Sequence, residues 1–303
     1  MVNKYILHEK NFGLKEIINK FLIFFIDILI KFKRKFLYYE ISKSQIVGFN
    51  NDHITNILNY DGLYERKELL TFLEFLKKLK PNYKCLNFID VGANIGNHSI
   101  FLSKYFKKVY AIEANIISFN VLKLNVKDIK NIKVFNCAAT NKNTNVYLRN
   151  KPNNISGSNI EKKNQKKFIK VKGRSLDSLF KNQKNISLIK IDVEGHEYEV
   201  IKGARNIILK NNPIIIFEHH LQNFKNNQSF TVNFLKKNGY KKFALIKPFY
   251  MISIHDNIAQ RIIKNIKQLL LLRMKYIVEI NTNLKPDYYA FVIAIPEKFD
   301  ISK

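Results

Sequence analysis

Residues 88–99 have the sequence FIDVGANIGNHS, which places two of the ten glycines of this 303-residue chain four positions apart, directly after a short apolar run. Glycine allows the backbone conformations of a tight turn from a parallel strand into a helix, and it lets a ligand approach the backbone closely. Gly92 and Gly96 meet this requirement. The N-terminus of the following helix offers free N–H groups and the positive end of the helix dipole, which suit a carboxylate or a phosphate. The stretch therefore predicts a strand-turn-helix unit that binds a ligand.

An acidic residue at the end of the next strand-like segment completes this predicted site. Glu113 closes the segment VYAIE, about 20 residues after the turn, where a carboxylate can accept hydrogen bonds from ribose hydroxyls. The turn and the acid together predict a nucleoside-containing cofactor on a Rossmann-like sheet. Their spacing does not separate a nicotinamide from S-adenosylmethionine. The fingerprint G-x-G-x-x-G is absent, because Asn94 replaces the middle glycine and Asn97 follows Gly96, and this disfavours a nicotinamide dinucleotide.

The rest of the chain alternates strand-like and helix-like segments, a pattern that predicts βαβ units and a parallel sheet. The segments with strand character are LNFIDVG, KVYAIE, IKVFNCAA, ISLIKIDVEG, PIIIFEHH, KKFALI and DYYAFVIAI. Apolar residues at helical spacing predict helices over residues 69–79, 200–208 and 230–238. The polar stretch 141–172 predicts a hairpin-like excursion, and residues 258–274 form a basic amphipathic insertion.

The chain is strongly basic, with 52 Lys and Arg against 24 Asp and Glu and a formal net charge of +28. Such a charge favours polyanionic partners, including nucleic acid, anionic lipid and acidic glycans. Lysine, asparagine and isoleucine are abundant throughout, so a compositional bias also accounts for much of the charge. Cys85 and Cys137 lie beside apolar stretches without the spacing of a zinc site, which predicts buried thiols in a reducing compartment.

The N-terminal stretch KFLIFFIDILIKFKRKF, residues 20–36, is the segment best suited to a membrane surface. Asp27 interrupts its apolar core, which is shorter than the roughly 20 residues of a membrane-spanning helix. A basic end beside aromatic and aliphatic residues suits a helix lying on an anionic bilayer, although an accessory helix packed on the main domain is the favoured reading. We expect no signal peptide and a cytoplasmic protein. The alternative is a protein in peripheral contact with the inner face of the membrane. Residues 1–80 are predicted to form a helical extension, and residues 81–300 the main domain.

Two motifs resemble those of the FkbM family of S-adenosylmethionine-dependent methyltransferases. They are FIDVGANIGNHS and LIKIDVEGHEYEVIKGA, and VLKLN, NISGSNI, SLDSL and IIIFEHH support them in the same order between residues 88 and 220. Ala114 stands where the family usually has a proline. The resemblance implies S-adenosylmethionine as the cofactor and an α/β fold with a Rossmann-like, seven-stranded class I methyltransferase sheet. Six strands would be parallel and the last antiparallel, with helices on both faces.

The residues that match the motifs are the candidate site residues. For the cofactor they are Asp90, Gly92, Asn94, Gly96, Glu113 and Ala138. A hydroxyl acceptor must lose its proton to a base or with the help of a metal, and carboxylates and histidines at the ends of two neighbouring strands suit this role. The catalytic candidates are Asp192, Glu194, His196, Glu218 and His219. No metal site is predicted, although a magnesium-type ion shared by Asp192 and Glu218 is compatible with their oxygen ligands.

The function predicted from this resemblance is O-methylation of a hydroxyl of a sugar or glycan precursor. The net charge invites a nucleic-acid methyltransferase instead, but the chain lacks an N/D-P-P-Y/F motif, a Pro-Cys pair and a recognisable RNA-binding module. A nicotinamide-dependent oxidoreductase is a further alternative, which the missing third glycine disfavours. The last alternative is a membrane-associated binding protein without catalytic activity. In such a protein, the loss of Asp192 or Glu218 would affect only stability.

Overall fold

The computed structural model describes residues 14–37, 46–50, 52–79, 85–151, 154–161, 168–248, 257–263 and 276–299. The strands are β1 (Asn87–Val91), β2 (Lys108–Glu113), β3 (Ile132–Asn136), β4 (Ala138–Ala139), β5 (Asn145–Lys151), β6 (Asn154–Glu161), β7 (Phe168–Arg174), β8 (Ile186–Ile191), β9 (Ile214–His219), β10 (Phe224–Lys225), β11 (Gln228–Ser229), β12 (Tyr240–Pro248), β13 (Tyr276–Asn281) and β14 (Tyr289–Pro296). The helices are α1 (Leu14–Leu37), α2 (His53–Asp61), α3 (Arg66–Leu79), α4 (Asn97–Ser103), α5 (Ile116–Asn125), α6 (Leu176–Leu179), α7 (Glu197–Lys202), α8 (Arg205–Asn211) and α9 (Phe230–Lys236). The predicted insertion over residues 258–274 lies mostly outside the described residues.

One central sheet joins the apolar strands in the order β3-β2-β1-β8-β9-β14-β12-β13. Strands β3, β2, β1, β8 and β9 pair in parallel. Strand β14 is antiparallel to both β9 and β12, so β12 runs in the direction of β9. The predicted Rossmann-like class of fold is confirmed. The sheet has eight strands instead of the predicted seven, because β13 is added at one edge. The side chains of β13 are half-buried or exposed, so its sequence lacks the apolar pattern that marks a buried strand.

Helix α3 packs against one face of this sheet as part of the core. Its buried residues Phe72 and Leu76 belong to the same apolar cluster as Phe88 of β1 and Leu188 of β8. The neighbouring strand residues, such as Ile89, point to the opposite face and pack with α7 and α8, as the alternation of side chains along a strand requires. The predicted boundary at residue 80 therefore does not coincide with a boundary in the packing.

The segment predicted as one helix over residues 200–208 is in fact two helices, α7 and α8. A Cβ atom on Gly203, between them, would lie 2.1 Å from the carbonyl oxygen of Thr140. The chain bends there because its backbone passes directly against the segment that follows β4. The single-helix prediction is therefore wrong, since helical periodicity alone does not register a contact between distant backbone segments.

The polar excursion is a small second sheet with the strand order β4-β7-β5-β6. Strand β5 pairs antiparallel with β6 and with β7, while β4 pairs in parallel with β7. The predicted hairpin-like pairing is thus confirmed. Cys137 is buried between β3 and this sheet, but Cys85 is exposed and both thiols are free, so the prediction of burial fails for Cys85.

Helix α1 keeps its large apolar side chains exposed along most of its length. Phe21, Phe24 and Phe32 are more than 60% exposed, and Asp27 pairs with Lys31 at 2.6 Å on the helix surface. The helix is therefore not packed into the core of the domain, contrary to the favoured reading of the sequence. Within the described ranges, no helix is both long and apolar enough to cross a membrane.

Candidate active site

A cavity of about 370 Å³ opens at the carboxyl ends of β1, β2, β8 and β9. Sites in open α/β sheets lie at this edge, and small-molecule sites occupy about 300–1,000 Å³. Seven of the predicted site residues line the cavity: Gly92, Asn94, Glu113, Ala138, Asp192, Glu194 and Glu218. The remaining wall includes Leu148 of β5 and two tyrosines, Tyr64 and Tyr288, from distant parts of the chain.

The turn after β1 is fixed by its own backbone and by Glu113. Gly92 has a φ of +79°, and its N–H donates to the carbonyl oxygen of Ile112 at 3.0 Å. The carboxylate of Glu113 accepts the N–H of Asn94 at 2.9 Å and the N–H of Asn115 at 2.7 Å. The two sequence signals, the turn and the acid, therefore form one unit at the wall of the cavity.

Glu113 has an unusual ionisation. Burial raises the pKa of its carboxyl to about 7, although the N–H groups of Asn115 and Asn94 act in the opposite direction. Beside it, the side-chain Oδ1 of Asn94 is buried and has no hydrogen-bond partner among the described residues. A carboxyl that ionises near neutrality and an unused amide oxygen can both accept hydrogen bonds from a bound ligand, so this part of the cavity fits a ligand that carries hydroxyl or amino groups.

Two of the predicted cofactor residues lie behind the cavity wall. Asp90 is fully buried, and its Oδ2 accepts a hydrogen bond of 2.6 Å from the hydroxyl of Ser99 in α4. Gly96 directly precedes α4 as its N-cap, and an added Cβ there would lie 2.8 Å from the Leu122 side chain of α5. Both residues shape the turn rather than line the cavity.

Asp192, directly after β8, is tied to a buried lysine that sequence reasoning missed. The ammonium of Lys190 lies 2.9 Å from Oδ2 of Asp192, and its side chain is 4% exposed. Burial tends to raise the pKa of Asp192, but the Lys190 charge and hydrogen bond outweigh it and hold the pKa below its usual range. Asp192 is therefore ionised at the cavity. A lysine in the middle of the apolar strand ISLIKI is the signal that could have identified this pair.

The end of β9 brings together Glu218 and His220, but not His219. Oε2 of Glu218 lies 3.0 Å from Nε2 of His220, and the hydroxyl of Tyr288 donates to Oε1 of Glu218. His219 points to the other face, where it packs against the ring of Phe224 at 4.7 Å and burial lowers its pKa to about 4. The structure thus places the predicted catalytic His219 in the core, away from the cavity.

His196 also lies outside the cavity lining, with Nε2 3.0 Å from the hydroxyl of Thr140. Between it and Asp192, the loop turns through Glu194, which has a φ of +55° and lines the cavity. Glu197 fixes this loop from beneath: its Oε1 accepts the N–H groups of Val193 at 3.2 Å and Gly195 at 2.9 Å. Glu197 is fully buried, and burial raises its pKa to about 7.

The segment between α2 and α3 covers one side of the cavity. The side chain of Asn97 accepts the N–H of Tyr64 at 3.2 Å and donates to its carbonyl oxygen at 3.1 Å. Glu65 pairs with His98 at 3.0 Å. Burial raises the pKa of Tyr64, as do the nearby carboxylates of Glu65, Asp192 and Glu218. All three carboxylates therefore lie close enough to the Tyr64 hydroxyl to raise its pKa, which places them at the same end of the cavity.

The charge of the cavity is opposite to that of the chain. Five carboxylic side chains line it, those of Glu65, Glu113, Asp192, Glu194 and Glu218, whereas no Lys or Arg is found among the described residues of its wall. The net charge of +28 is therefore located elsewhere. A polyanion would be repelled from this opening, while a neutral molecule rich in hydroxyl groups would find many hydrogen-bond acceptors.

Comparisons with known proteins point to one family. A family model described as "Methyltransferase FkbM domain" matches residues 90–242, half of the chain. No curated protein matches the chain. Among solved structures, an FkbM methyltransferase from Methylobacillus flagellatus KT is 22% identical to this chain, with a TM-score of 0.34. The match covers 45% of this chain and 33% of the other, so this chain spans about a third of the length of that protein.

Two other solved structures are similar to a larger part of the chain. A precorrin-6y C5,15-methyltransferase from Geobacter metallireducens GS-15 is 12% identical, with a TM-score of 0.39, over 74% of this chain and 85% of its own. An rRNA methylase from Streptococcus thermophilus is 11% identical, with the same TM-score of 0.39, over 75% of this chain and 95% of its own.

Proposed function

We propose that this chain, which belongs to the FkbM family of S-adenosylmethionine-dependent methyltransferases, methylates a hydroxyl group of a sugar or glycan precursor. The sequence motifs predict this family and this class of activity, and the match of the family model over residues 90–242 confirms the family and supports the activity. The acceptor, the cytoplasmic location and a role in polysaccharide synthesis are our proposals.

The turn after β1 and the end of β2 are the part of the cavity that we assign to the cofactor. Glu113 and Asn94 offer hydrogen-bond acceptors there, and Gly92 and Ala138 expose little more than backbone. When bound, S-adenosylmethionine supplies an electrophilic methyl group. The protein has to align the acceptor oxygen with that group and exclude competing water.

The opposite end of the cavity is the part that we assign to the acceptor. The observation that supports a sugar is the lining itself, which includes the carboxylates of Glu65, Asp192 and Glu218 and the side chains of Tyr64 and Tyr288. Such groups can hydrogen-bond several sugar hydroxyls, and aromatic side chains can pack against the apolar face of a sugar ring. Asp192, which the Lys190 ammonium keeps ionised, can accept a hydrogen bond from the acceptor hydroxyl and so orient its oxygen.

A nucleic-acid acceptor is the second candidate, and the net charge of +28 favours it. Binding of nucleic acid depends largely on Lys and Arg beside the phosphates. The described lining of the cavity contains neither, so the phosphates flanking a target nucleotide would approach carboxylates instead. We therefore rank RNA below a neutral, hydroxyl-rich acceptor, and a nicotinamide-dependent oxidoreductase below both.

We expect the purified protein to transfer the labelled methyl group of S-adenosylmethionine to a member of a panel of nucleotide sugars, and not to RNA. With the sugar that is labelled, Asp192→Asn should lower kcat/KM about tenfold, the value of one charge-assisted hydrogen bond of roughly 1.5 kcal/mol. The affinity for the cofactor should stay the same. Asp128→Asn, which changes an exposed aspartate, is the matched control. Label that enters RNA but never a sugar would reverse the ranking.

We also propose that α1 binds the surface of an anionic membrane. Its exposed apolar side chains and the basic sequence KFKRKF at its end are the two features of a helix that lies in the membrane interface. Vesicles with anionic lipid should sediment the protein, and neutral vesicles should do so much less. The double variant Phe21→Glu and Phe24→Glu should stay in solution, whereas Leu209→Glu, on an exposed apolar residue of α8, should bind like wild type. Equal sedimentation of both variants would contradict the proposal.

A further inference from the structure

Three side chains at the deep end of the acceptor region form a cluster of metal-ligating type. Glu197 begins α7, Glu218 lies near the end of β9, and His220 follows that strand. One oxygen or nitrogen atom from each lies within 4.8 Å of the other two. Bonds of about 2.0–2.2 Å to one ion place its ligand atoms roughly 3–4 Å apart, so small side-chain rotations would bring the three atoms to that separation.

The buried oxygen of Glu197 is the observation that points to a ligand. Glu197 is fully buried, and its Oε1 accepts two backbone N–H groups, but its Oε2 has no hydrogen-bond partner among the described residues. Oε2 of Glu218 and Nε2 of His220 lie 3.0 Å apart, yet they too form no hydrogen bond within the described structure. A buried acceptor without a donor is costly, and Oε2 of Glu197 is such an atom in a residue that clusters with the close pair of Glu218 and His220.

We propose that Glu197, Glu218 and His220 bind a divalent transition-metal ion of the Mn²⁺ or Zn²⁺ type. The imidazole argues against Mg²⁺ or Ca²⁺, which prefer oxygen ligands, and the absence of a thiolate from the cluster excludes a sulfur-rich site. A divalent cation also offsets the charge of two carboxylates held close together in a buried place. Tyr288, which donates to the other oxygen of Glu218, and the amides that hold Glu197 would orient the ligands from outside.

The position of this site suggests its role, an inference that rests on the proposed function. Glu218 and His220 line the cavity, so an ion held by three protein ligands keeps open positions on the cavity side. An acceptor hydroxyl that coordinates the ion there would have a lowered pKa and a fixed oxygen. The site thereby assigns the acceptor hydroxyl to the end of the cavity that contains Glu218, with Asp192 accepting its hydrogen bond.

The test measures metal binding without cofactor or acceptor. The full chain is treated with EDTA, dialysed into metal-free buffer and titrated with MnCl₂ by electron paramagnetic resonance and with ZnCl₂ by calorimetry. We expect one equivalent to bind. His220→Asn and Glu218→Gln should each raise the dissociation constant at least about tenfold, the loss typical even of groups outside the coordination shell. His196→Asn is the matched control, because this histidine lies in the loop between β8 and α7, outside the cluster, and contacts Thr140 instead.

The possible outcomes separate this inference from the proposed function. Binding of neither ion by folded protein, or binding that His220→Asn and Glu218→Gln leave unchanged, would overturn the metal site. Methylation of a sugar by metal-free protein at the full rate would overturn the catalytic role that we assign to the ion, and would leave the proposed function intact. Specific binding of Mn²⁺ or Zn²⁺ that needs these residues would support the site even if no sugar is methylated. Circular dichroism of each variant checks that it is folded.

Discussion

The Glu113→Gln variant is expected to bind S-adenosylmethionine about a hundredfold more weakly than wild type, a loss of roughly 2.7 kcal/mol. Hydrogen bonds to a charged group contribute about 1.5–3 kcal/mol each, and a ribose presents two hydroxyls to the carboxylate. The variant amide keeps one acceptor oxygen only. Its NH₂ group would also be directed towards the N–H of Asn94 or Asn115, which Glu113 accepts in the wild type.

The pH dependence of this variant gives an independent readout. Burial raises the pKa of Glu113 from 4.5 to about 7, so below neutrality the ligand-free carboxyl is largely protonated and wild-type affinity for the cofactor should fall. Stability changes in the opposite direction. Because the folded state holds this proton more tightly than the unfolded state, the contribution of Glu113 to the free energy of unfolding decreases as the pH rises from about 4.5 to 7. Both dependences should be absent from Glu113→Gln.

Calorimetric titration at about pH 6 and about pH 8, together with urea unfolding at the same two values, would test both expectations. Glu297→Gln serves as the control, because this exposed glutamate pairs with Lys241 at 3.3 Å on the surface. Equal cofactor affinity of wild type and Glu113→Gln at the higher pH would disprove the assignment of Glu113 to the cofactor. If the difference in unfolding free energy between wild type and Glu113→Gln is the same at both pH values, Glu113 ionises in its ordinary range.

The turn and the acid could be predicted from sequence because each depends on local geometry. A glycine after a short apolar strand and an acid at the end of the next strand are both specified by positions along the chain. Parallel pairing of β1 with β2, in the register Val91 to Ile112, then brings Gly92 and Glu113 to one edge. The family motif supplied Asp192 and Glu218 in the same way, since β8 and β9 end at this edge.

The choice among the histidines failed for a reason that the sequence did contain. Successive side chains of a strand point to opposite faces, so a cavity-facing Glu218 implies that His219 faces the core and that His220 returns to the cavity. The structure has this arrangement, with His219 fully buried and His220 beside Glu218. Alternation along IIIFEHH would have selected His220 in place of His219.

Other parts of the cavity could not have been found in this way. Tyr64 and Glu65 precede β1 in a short segment between two helices, and Asn97 holds that segment through hydrogen bonds across 33 residues of sequence. Tyr288 reaches Glu218 across 70 residues. No spacing rule links such positions, because their contact depends on how α3 and β14 pack on the sheet. Tyr64, Glu65 and Tyr288 lie outside the matched motifs, and finding them required the tertiary structure.

Replacing Gly92 by Ala is expected to cost about 2–5 kcal/mol of folding free energy, the sum of two separate effects. An L-residue in the left-handed region loses about 1–2 kcal/mol, and Gly92 has a φ of +79°. The second effect is steric: the added Cβ would lie 1.7 Å from the carbonyl oxygen of Asp192. That oxygen belongs to the backbone, and the N–H of Asp192 donates to Val91 at 3.0 Å, so the loop can move aside only by breaking the junction of β1 and β8.

Gly239→Ala separates the two effects. Gly239 also has a positive φ, of +90°, but a Cβ there would meet nothing within 4 Å, so its cost should be about 1–2 kcal/mol from the backbone alone. Urea unfolding of both variants gives the comparison. The excess cost at Gly92 should be accompanied by weaker cofactor binding, because any displacement moves Asp192 and the cavity wall together. Equal destabilisation of the two variants would mean that the turn after β1 has room for a side chain, and the tight contact between the two cavity-forming loops would then be incorrect.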